Sequence, residues 1–428
     1  MAWEKLSRRT SVLSLSVLSL LWIALVIAGA RLTSFDEPYL PFAIAGAVAF
    51  FLRGAPERSE IYALLLSAAL LVKVIHLPQV PFWILRVAAS VALLGFAAIL
   101  LLGLRAIWSE RESRQNALSL LAPALILIFF IYGCARVLSL TSGLSPLTYD
   151  AWLYAFDGSL GFQPSFALGR IMYNSIALTG SALLIYLSLP FAMGVVCAWN
   201  IPAAARRMSW HMLAVILFAG AGGWLLYNVV PGTGPIYAFA QDFPWKNLSY
   251  HELANFPLRG LPVPTSIPRN AMPSLHVAWA LLLYWNSRRF PLGLRIYVLI
   301  FFIFTVIATM GSGQHYFVDL VVSLPFAVAV QSLAWFLLPE RSLSGNLRNL
   351  IAVIAGFSLT MSWLMLVRYG VPLVLKSPAI PWTLILATFA GTLWIKRWAS
   401  AGDGGSLEQI AGSVDSSEGE PVATEATV

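Results

Sequence analysis

Two histidines stand in polar strings, each at the mouth of an apolar stretch. One string is Asn270-Ala271-Met272-Pro273-Ser274-Leu275-His276, and the other runs Gly311-Ser312-Gly313-Gln314-His315-Tyr316-Phe317-Val318-Asp319. Ionisable groups at membrane depth are costly, so each points to a function with a definable partner. His315 and Asp319 are four residues apart, which on a helix places them on one face, one turn apart. A carboxylate that accepts the proton of one imidazole nitrogen fixes the tautomer and leaves the other lone pair free. Such a histidine is a competent nucleophile toward phosphorus. Pro273-Ser274 ahead of an apolar run reads as a helix start, where free amides and the positive dipole end favour an anion. The Ser274 hydroxyl adds a donor for a phosphoryl oxygen. His276, in the same first turn, is placed to protonate a departing oxygen as general acid. Arg269, five residues before Ser274, can clamp phosphate through its planar fork. Two histidines, one committed aspartate and no acidic cluster imply neither a metal nor a cofactor.

Each residue also has a plainer reading. The His315–Asp319 pair can tie two spans together, and Ser274 can be a simple cap. His276 can be an interfacial histidine, and Arg269 can face lipid headgroups.

The elements that must position these residues are membrane spans. The chain has 428 residues, of which 59% are hydrophobic and 11% charged. Its mean hydropathy is +0.78. Soluble domains carry about a quarter charged residues, so the chain reads as an all-α polytopic membrane protein. The net charge of +8 does not point to nucleic acid, because the basic residues lie in short loops between apolar runs. Cys134 and Cys197 sit inside such runs and read as small buried hydrophobes.

A spanning helix needs about 20 mainly apolar residues. Twelve stretches qualify as candidates: 11–30, 38–53, 61–77, 82–104, 117–140, 171–198, 210–230, 272–287, 293–311, 315–338, 348–368 and 379–396. The first is too long for a typical signal-peptide core and reads as an uncleaved span. Pro190 should kink the sixth. With both termini in the cytoplasm, seventeen basic residues fall inside, seven outside and three within spans. That bias fits the positive-inside rule and places both histidine strings on the outer side of the cell (inner) membrane.

Two outer connections, 141–170 and 231–271, are long and rich in aromatics, and they read as a lid or substrate-binding cap. The first contains Tyr149-Asp150 and Asp157-Gly158. The tail after Ser400 is acidic and rich in glycine and serine, which reads as disordered. The expected organisation is a four-span region over 1–116, a six-span catalytic core over 117–338, two further spans over 339–400, and the tail over 401–428.

Met272-Pro273-Ser274-Leu275-His276 and Gln314-His315-Tyr316-Phe317-Val318-Asp319-Leu320 resemble the second and third motifs of the type 2 phosphatidic acid phosphatase superfamily. Leu275 replaces the usual glycine, Ala308-Thr309 replace the usual Ser-Arg, and the usual first motif is not found. These departures resemble the branch containing inositol phosphorylceramide synthase. Val230-Pro231-Gly232-Thr233-Gly234-Pro235 is similar to the proline-rich stretch before the second motif in that branch. The resemblance covers about 117–338, matching a six-helix core. It implies that His315 is the phosphorylated nucleophile, Asp319 its orienting partner, and His276 the acid and later the base. With the usual arginine replaced by Thr309, Arg269 is the substitute cation, and Arg136, Arg170 and Lys246 are further candidates.

The expected activity is transfer of a lipid phosphoester group at the outer leaflet, from a lipid phosphate donor to a lipid or sugar hydroxyl. Hydrolysis by a lipid phosphate or pyrophosphate phosphatase is the alternative within the same chemistry. A proton-coupled transporter with a histidine relay is the alternative of another class. Against it, the histidines cluster at one rim rather than at the midplane, and no inverted repeat is visible.

Overall fold

The computed structural model describes residues 38–74, 83–201, 211–253, 255–337 and 343–400. The expected span at 11–30 and the acidic tail lie outside the described residues. What is described is mostly helical. The first helices are α1 (Leu40–Ala45), α2 (Ala47–Arg53), α3 (Arg58–Val74), α4 (Trp83–Trp108) and α5 (Arg111–Leu144). A surface layer follows, with strand β1 (Leu147–Thr148), α6 (Asp150–Gly158) and α7 (Pro164–Tyr173). Then come α8 (Ile176–Leu187), α9 (Leu189–Asn200) and α10 (His211–Tyr227). The second long connection holds the short helices α11 (Pro235–Ala238) and α12 (Tyr250–Leu253) and strand β2 (Leu261–Pro262). The chain continues with α13 (Leu275–Asn286), α14 (Leu292–Gly311), α15 (Phe317–Leu337), α16 (Leu343–Tyr369), α17 (Val371–Val374) and α18 (Ala379–Ser400).

Among the described residues six helices are long and apolar enough to cross a membrane, or up to seven if the bent pair α7–α8, turned by 119°, counts as one span. The twelve expected from hydropathy include one span outside the described residues, and others form apolar helices too short to qualify alone, such as Leu40–Arg53, Leu189–Asn200 and His211–Tyr227. The sixth expected span is interrupted at Ser188, and Pro190 sits in the first turn of α9, where its missing amide costs no hydrogen bond.

Helix α15 is the hub. In its most apolar stretch 67% of residues are buried, against 22–50% in the other five long helices. It packs against α10, α13, α16 and α18, and touches α6. Gly356 of α16 lies against the Pro325 carbonyl, where an added Cβ would come within 2.8 Å. Trp363 of α16 donates to Thr388 of α18 at 2.9 Å. The two C-terminal helices are thus joined to each other and to the hub.

The N-terminal helices dock on the other side. α1 packs against α4 and α9, and α2 packs against the same pair. Close approach is possible because glycines face each other: a Cβ on Gly194 would fall 2.8 Å from Gly46 Cα, and one on Gly95 only 2.0 Å from the Ile44 carbonyl oxygen. Without a hydrophobic drive between helices in lipid, such small-residue contacts are a main source of association. Arg53 donates twice to the Ile201 carbonyl at 2.9 and 2.8 Å, completing the joint.

The two long connections fold onto each other. β1 and β2 pair antiparallel, Leu147 opposite Pro262 and Thr148 opposite Leu261. Tyr149 donates its amide to the Pro231 carbonyl at 2.7 Å, and the Tyr154 hydroxyl accepts from the Leu248 amide at 2.7 Å.

Candidate active site

α14 ends at Gly311, and a five-residue turn leads into α15 at Phe317. His315 therefore precedes the helix rather than sitting on it, which corrects the expectation of an i, i+4 pair on one helical face. The turn still brings the two side chains together, with Nδ1 of His315 3.4 Å from Oδ2 of Asp319. A closer partner takes the imidazole proton. Nδ1 lies 2.9 Å from the Ala271 carbonyl, whose oxygen can only accept, so Nδ1 carries the hydrogen and Nε2 keeps its lone pair. The orienting acceptor is thus chiefly a backbone carbonyl. Asp319 Oδ2 accepts from the Tyr316 amide at 2.8 Å, and Oδ1 has no hydrogen-bond partner.

The backbone of His315 is fixed as firmly as its ring. Its amide donates to the Thr309 carbonyl at 3.1 Å, and its carbonyl accepts from the Ser165 hydroxyl at 2.9 Å. Thr309 thus stands where an arginine was expected, and its carbonyl holds the turn. Gly313 has φ +74°, open to glycine, and a Cβ there would strike the Phe243 ring. Burial pushes the His315 imidazole down to about 4, while its bond to Ala271 pulls the other way.

The second string begins α13. Ser274 is its cap: the hydroxyl accepts from the Val277 amide at 3.5 Å, a long contact, and keeps its own hydrogen to donate. The Ser274 amide donates to the Asp319 carbonyl at 3.1 Å. The Ser323 hydroxyl bridges the carbonyls of Ser274 and Asp319, at 2.8 Å from each. These bonds lock the starts of α13 and α15 side by side. His276, in the first turn of α13, then faces His315 with ring centroids 6.3 Å apart. Among the described residues neither its nitrogens nor Nε2 of His315 has a hydrogen-bond partner. The amides of Leu275 and His276 have no carbonyl partner within the helix.

Two carboxylates hold this arrangement from α6. Asp157 accepts from the Phe317 and Val318 amides at 2.7 and 3.0 Å, capping α15. Asp150 accepts from the Thr233 amide and hydroxyl, the Gly234 amide and the Tyr316 hydroxyl, all within 2.9–3.1 Å. The Pro231-Gly232-Thr233-Gly234 turn is wedged between the two strings. The Gly232 carbonyl accepts from the Ala271 amide at 2.9 Å, and a Cβ on Gly234 would meet the Gln314 carbonyl oxygen at 2.2 Å. Burial raises Asp150 above the usual carboxylate range and pushes Asp157 up to about 8, against the donors each accepts from. Their seven-residue spacing puts both on one face of a short helix, a pattern visible in the sequence. The Ala271 carbonyl, as a backbone group, leaves no such signal.

Arg269 is elsewhere engaged. Its guanidinium donates to the carbonyls of Ser145, Pro264, Ile267, Pro146 and Val263, at 3.0, 3.2, 2.7, 3.5 and 2.8 Å. A guanidinium has five N–H donors, so none remains for a phosphoryl oxygen. The residue is wholly buried and ties the two long connections together. The sequence placed it on the correct rim but could not show the carbonyls that turn inward around it. Of the other candidate cations, Lys246 pairs with Asp242 at 2.6 Å, while Arg136 and Arg170 are exposed.

Residues 151–333 match the family model of the PAP2 superfamily. No curated protein and no solved structure matches the chain. The matched stretch lies within the expected core of 117–338 and contains both histidine strings. It suggests a phosphatase- or phosphotransferase-type function. Tyr39, Asp150 and the two C-terminal helices fall outside it.

Replacing Arg269 by lysine leaves three donors for five carbonyls. Unmet buried acceptors cost about 1–3 kcal/mol each, so Arg269→Lys lowers the thermal midpoint in detergent. Affinity for vanadate, a phosphate mimic, stays at the wild-type value. An unchanged midpoint with lost vanadate binding would restore the clamp reading.

Proposed function

We propose that this protein is a metal-independent lipid phosphotransferase that works through a phosphohistidine at the outer leaflet of the cell membrane. One observation carries the reading: two imidazoles face each other at 6.3 Å between ring centroids, one with its tautomer fixed by the Ala271 carbonyl, and among the described residues neither Nε2 of His315 nor the nitrogens of His276 have a hydrogen bond. Near-attack geometry places reacting atoms about 3–3.5 Å apart, and a phosphoryl group flanked by two ring edges fits that scale. The superfamily match over 151–333 supports the reaction class.

In the first step Nε2 of His315 attacks phosphorus in line. The N–P bond forms, the P–O bond to the donor lipid breaks, and His276 gives its proton to the departing oxygen. In the second step His276 takes the proton of an acceptor hydroxyl. That oxygen attacks phosphorus, the N–P bond breaks, and His315 regains its lone pair. Developing charge on the phosphoryl oxygens meets the His276 amide and the Ser274 hydroxyl at the start of α13. Asp319 lies 3.4 Å from Nδ1 and stabilises positive charge as the ring becomes bonded to phosphorus. No step of this scheme is routed through a divalent cation.

The topology belongs to the same proposal. Twelve spans with both termini inside put the starts of α13 and α15, and the end of α14, on the outer side. Transfer is favoured over hydrolysis through the resemblance to the inositol phosphorylceramide synthase-like branch. The long aromatic connections are where a hydroxyl acceptor would bind. The test is turnover by purified protein of a short-chain lipid phosphate, with and without lipid or sugar hydroxyl acceptors. His315→Ala and His276→Ala lose nearly all turnover. Acceptors lower the free phosphate formed and yield a phosphorylated acceptor. Free phosphate at the same rate in all mixtures identifies a phosphatase, and full activity in His315→Ala removes the nucleophile.

The depressed His315 value sets a pH dependence. The nucleophile is neutral above about 4 and is lost only as pH falls through that value. With an aryl phosphate, whose leaving group needs no acid, the His315-dependent first-turnover burst of phenolate therefore stays level between pH 7 and pH 5. A midpoint near the ordinary histidine value of about 6.5 would show that the imidazole is not buried as described.

A further inference from the structure

The N-terminal helices have no part in the chemistry described so far, and the superfamily match does not include them. Yet one of their residues reaches His276. Tyr186, in the last turn of α8, stacks on the His276 ring with centroids 3.8 Å apart and planes 15° from parallel. Tyr39, immediately before α1, sits 5.6 Å from His276 and 6.2 Å from Tyr186, tilted to both. Phe42, Tyr186 and Leu187 form a small buried cluster with Tyr39 packed against it.

The two catalytic imidazoles are therefore held by different means. His315 has a carbonyl on Nδ1. Among the described residues His276 has no hydrogen bond, and the ring stack is what orients it. A general acid must aim one nitrogen at the leaving oxygen and must carry a proton while it does so. An aromatic face opposes ring rotation and attracts the imidazolium. Tyr39 braces the outer edge of that stack, and its position follows from the glycine contacts that press α1 and α2 onto α4 and α9.

We propose that Tyr186 and Tyr39 are positioning residues for the general acid, so that the N-terminal membrane region completes the active site by supplying Tyr39. This rests on the phosphoryl-transfer reading given above.

Leaving-group dependence tests it. The purified full chain is assayed on a short-chain lipid phosphate, which departs as an alkoxide and needs an acid, and on nitrophenyl phosphate, which does not. General acids contribute about 10²–10⁴-fold. Tyr186→Leu is expected to lose about 30-fold or more of that on the lipid phosphate, and less than about threefold in the first-turnover burst of nitrophenolate, which reports the first step alone and not the base-assisted second step. Tyr39→Leu shows the same asymmetry to a smaller degree, about tenfold. Tyr186→Phe, which keeps the stack, retains at least a third of both activities. Melting midpoints are recorded for every variant, and the ratio of the two rates is independent of how much protein is folded. Equal losses on both substrates in the leucine variants would mean a merely structural role and overturn the proposal, as would unchanged rates on both. His315→Ala runs alongside and must lose both activities. If it keeps them, the phosphoryl-transfer reading itself fails and this proposal with it, an outcome distinct from failure of the tyrosines alone.

Discussion

Buried acceptors must find donors, and in this protein Asp150 and Asp157 find theirs on the segments that carry the chemistry. A buried carboxylate without partners costs several kcal/mol. Six donors from the 233–234 turn and the 316–318 segment meet the pair. Their need for donors and the turns' need for acceptors are satisfied together. Helix α6 thereby fixes where α15 starts, and the start of α15 fixes His315. The wedge of Gly232 and Gly234 then places Ala271 so that its carbonyl sets the imidazole tautomer. Any change that loosens α6 acts on the nucleophile without touching it.

A second constraint comes from the surrounding solvent. In lipid every backbone group must be satisfied within the protein, so irregular turns at the membrane surface need internal partners. Arg269 supplies five donors to such carbonyls, and the Ser323 hydroxyl bridges two more. Residues that read as substrate-binding groups by type can thus be committed to the scaffold. What is left uncommitted is informative in turn. Among the described residues Nε2 of His315 and both nitrogens of His276 have no hydrogen bond, and the two rings lie 6.3 Å apart between centroids, which suits the demands of a phosphoryl transition state.

Much of this was legible in the sequence. The helical stretches followed from hydropathy alone. The two histidine strings stood out by residue type, and Ser274 by its place before an apolar run. The proline- and glycine-rich turn was recognisable, though not its role as a wedge. Other features depend on three-dimensional closure and leave no local mark. The carbonyl of Ala271 is one, because every residue has a carbonyl. The stack of Tyr186 and Tyr39 on His276 is another, since its members are far apart in the sequence and the tyrosines read as ordinary apolar aromatics. Arg269 shows the converse: its type and rim position suggested an anion, and only the inward turn of five carbonyls reveals its role. Hydropathy windows do not see a break such as that at Ser188, so they leave unmarked where an apolar stretch divides into two shorter helices.

The central claim is that His315 becomes covalently phosphorylated, and mass spectrometry of the enzyme during turnover tests it most directly. His276→Ala protein is mixed with nitrophenyl phosphate, quenched in alkali, where phosphohistidine survives, and digested. Removing the acid and base leaves the first step open to a good leaving group and slows the second, so the intermediate accumulates. The account predicts a phosphoryl group on the peptide that contains His315, absent from His315→Ala protein treated in the same way. Nitrophenolate release in a burst with no modified peptide, or a phosphoryl group on another residue, would contradict it.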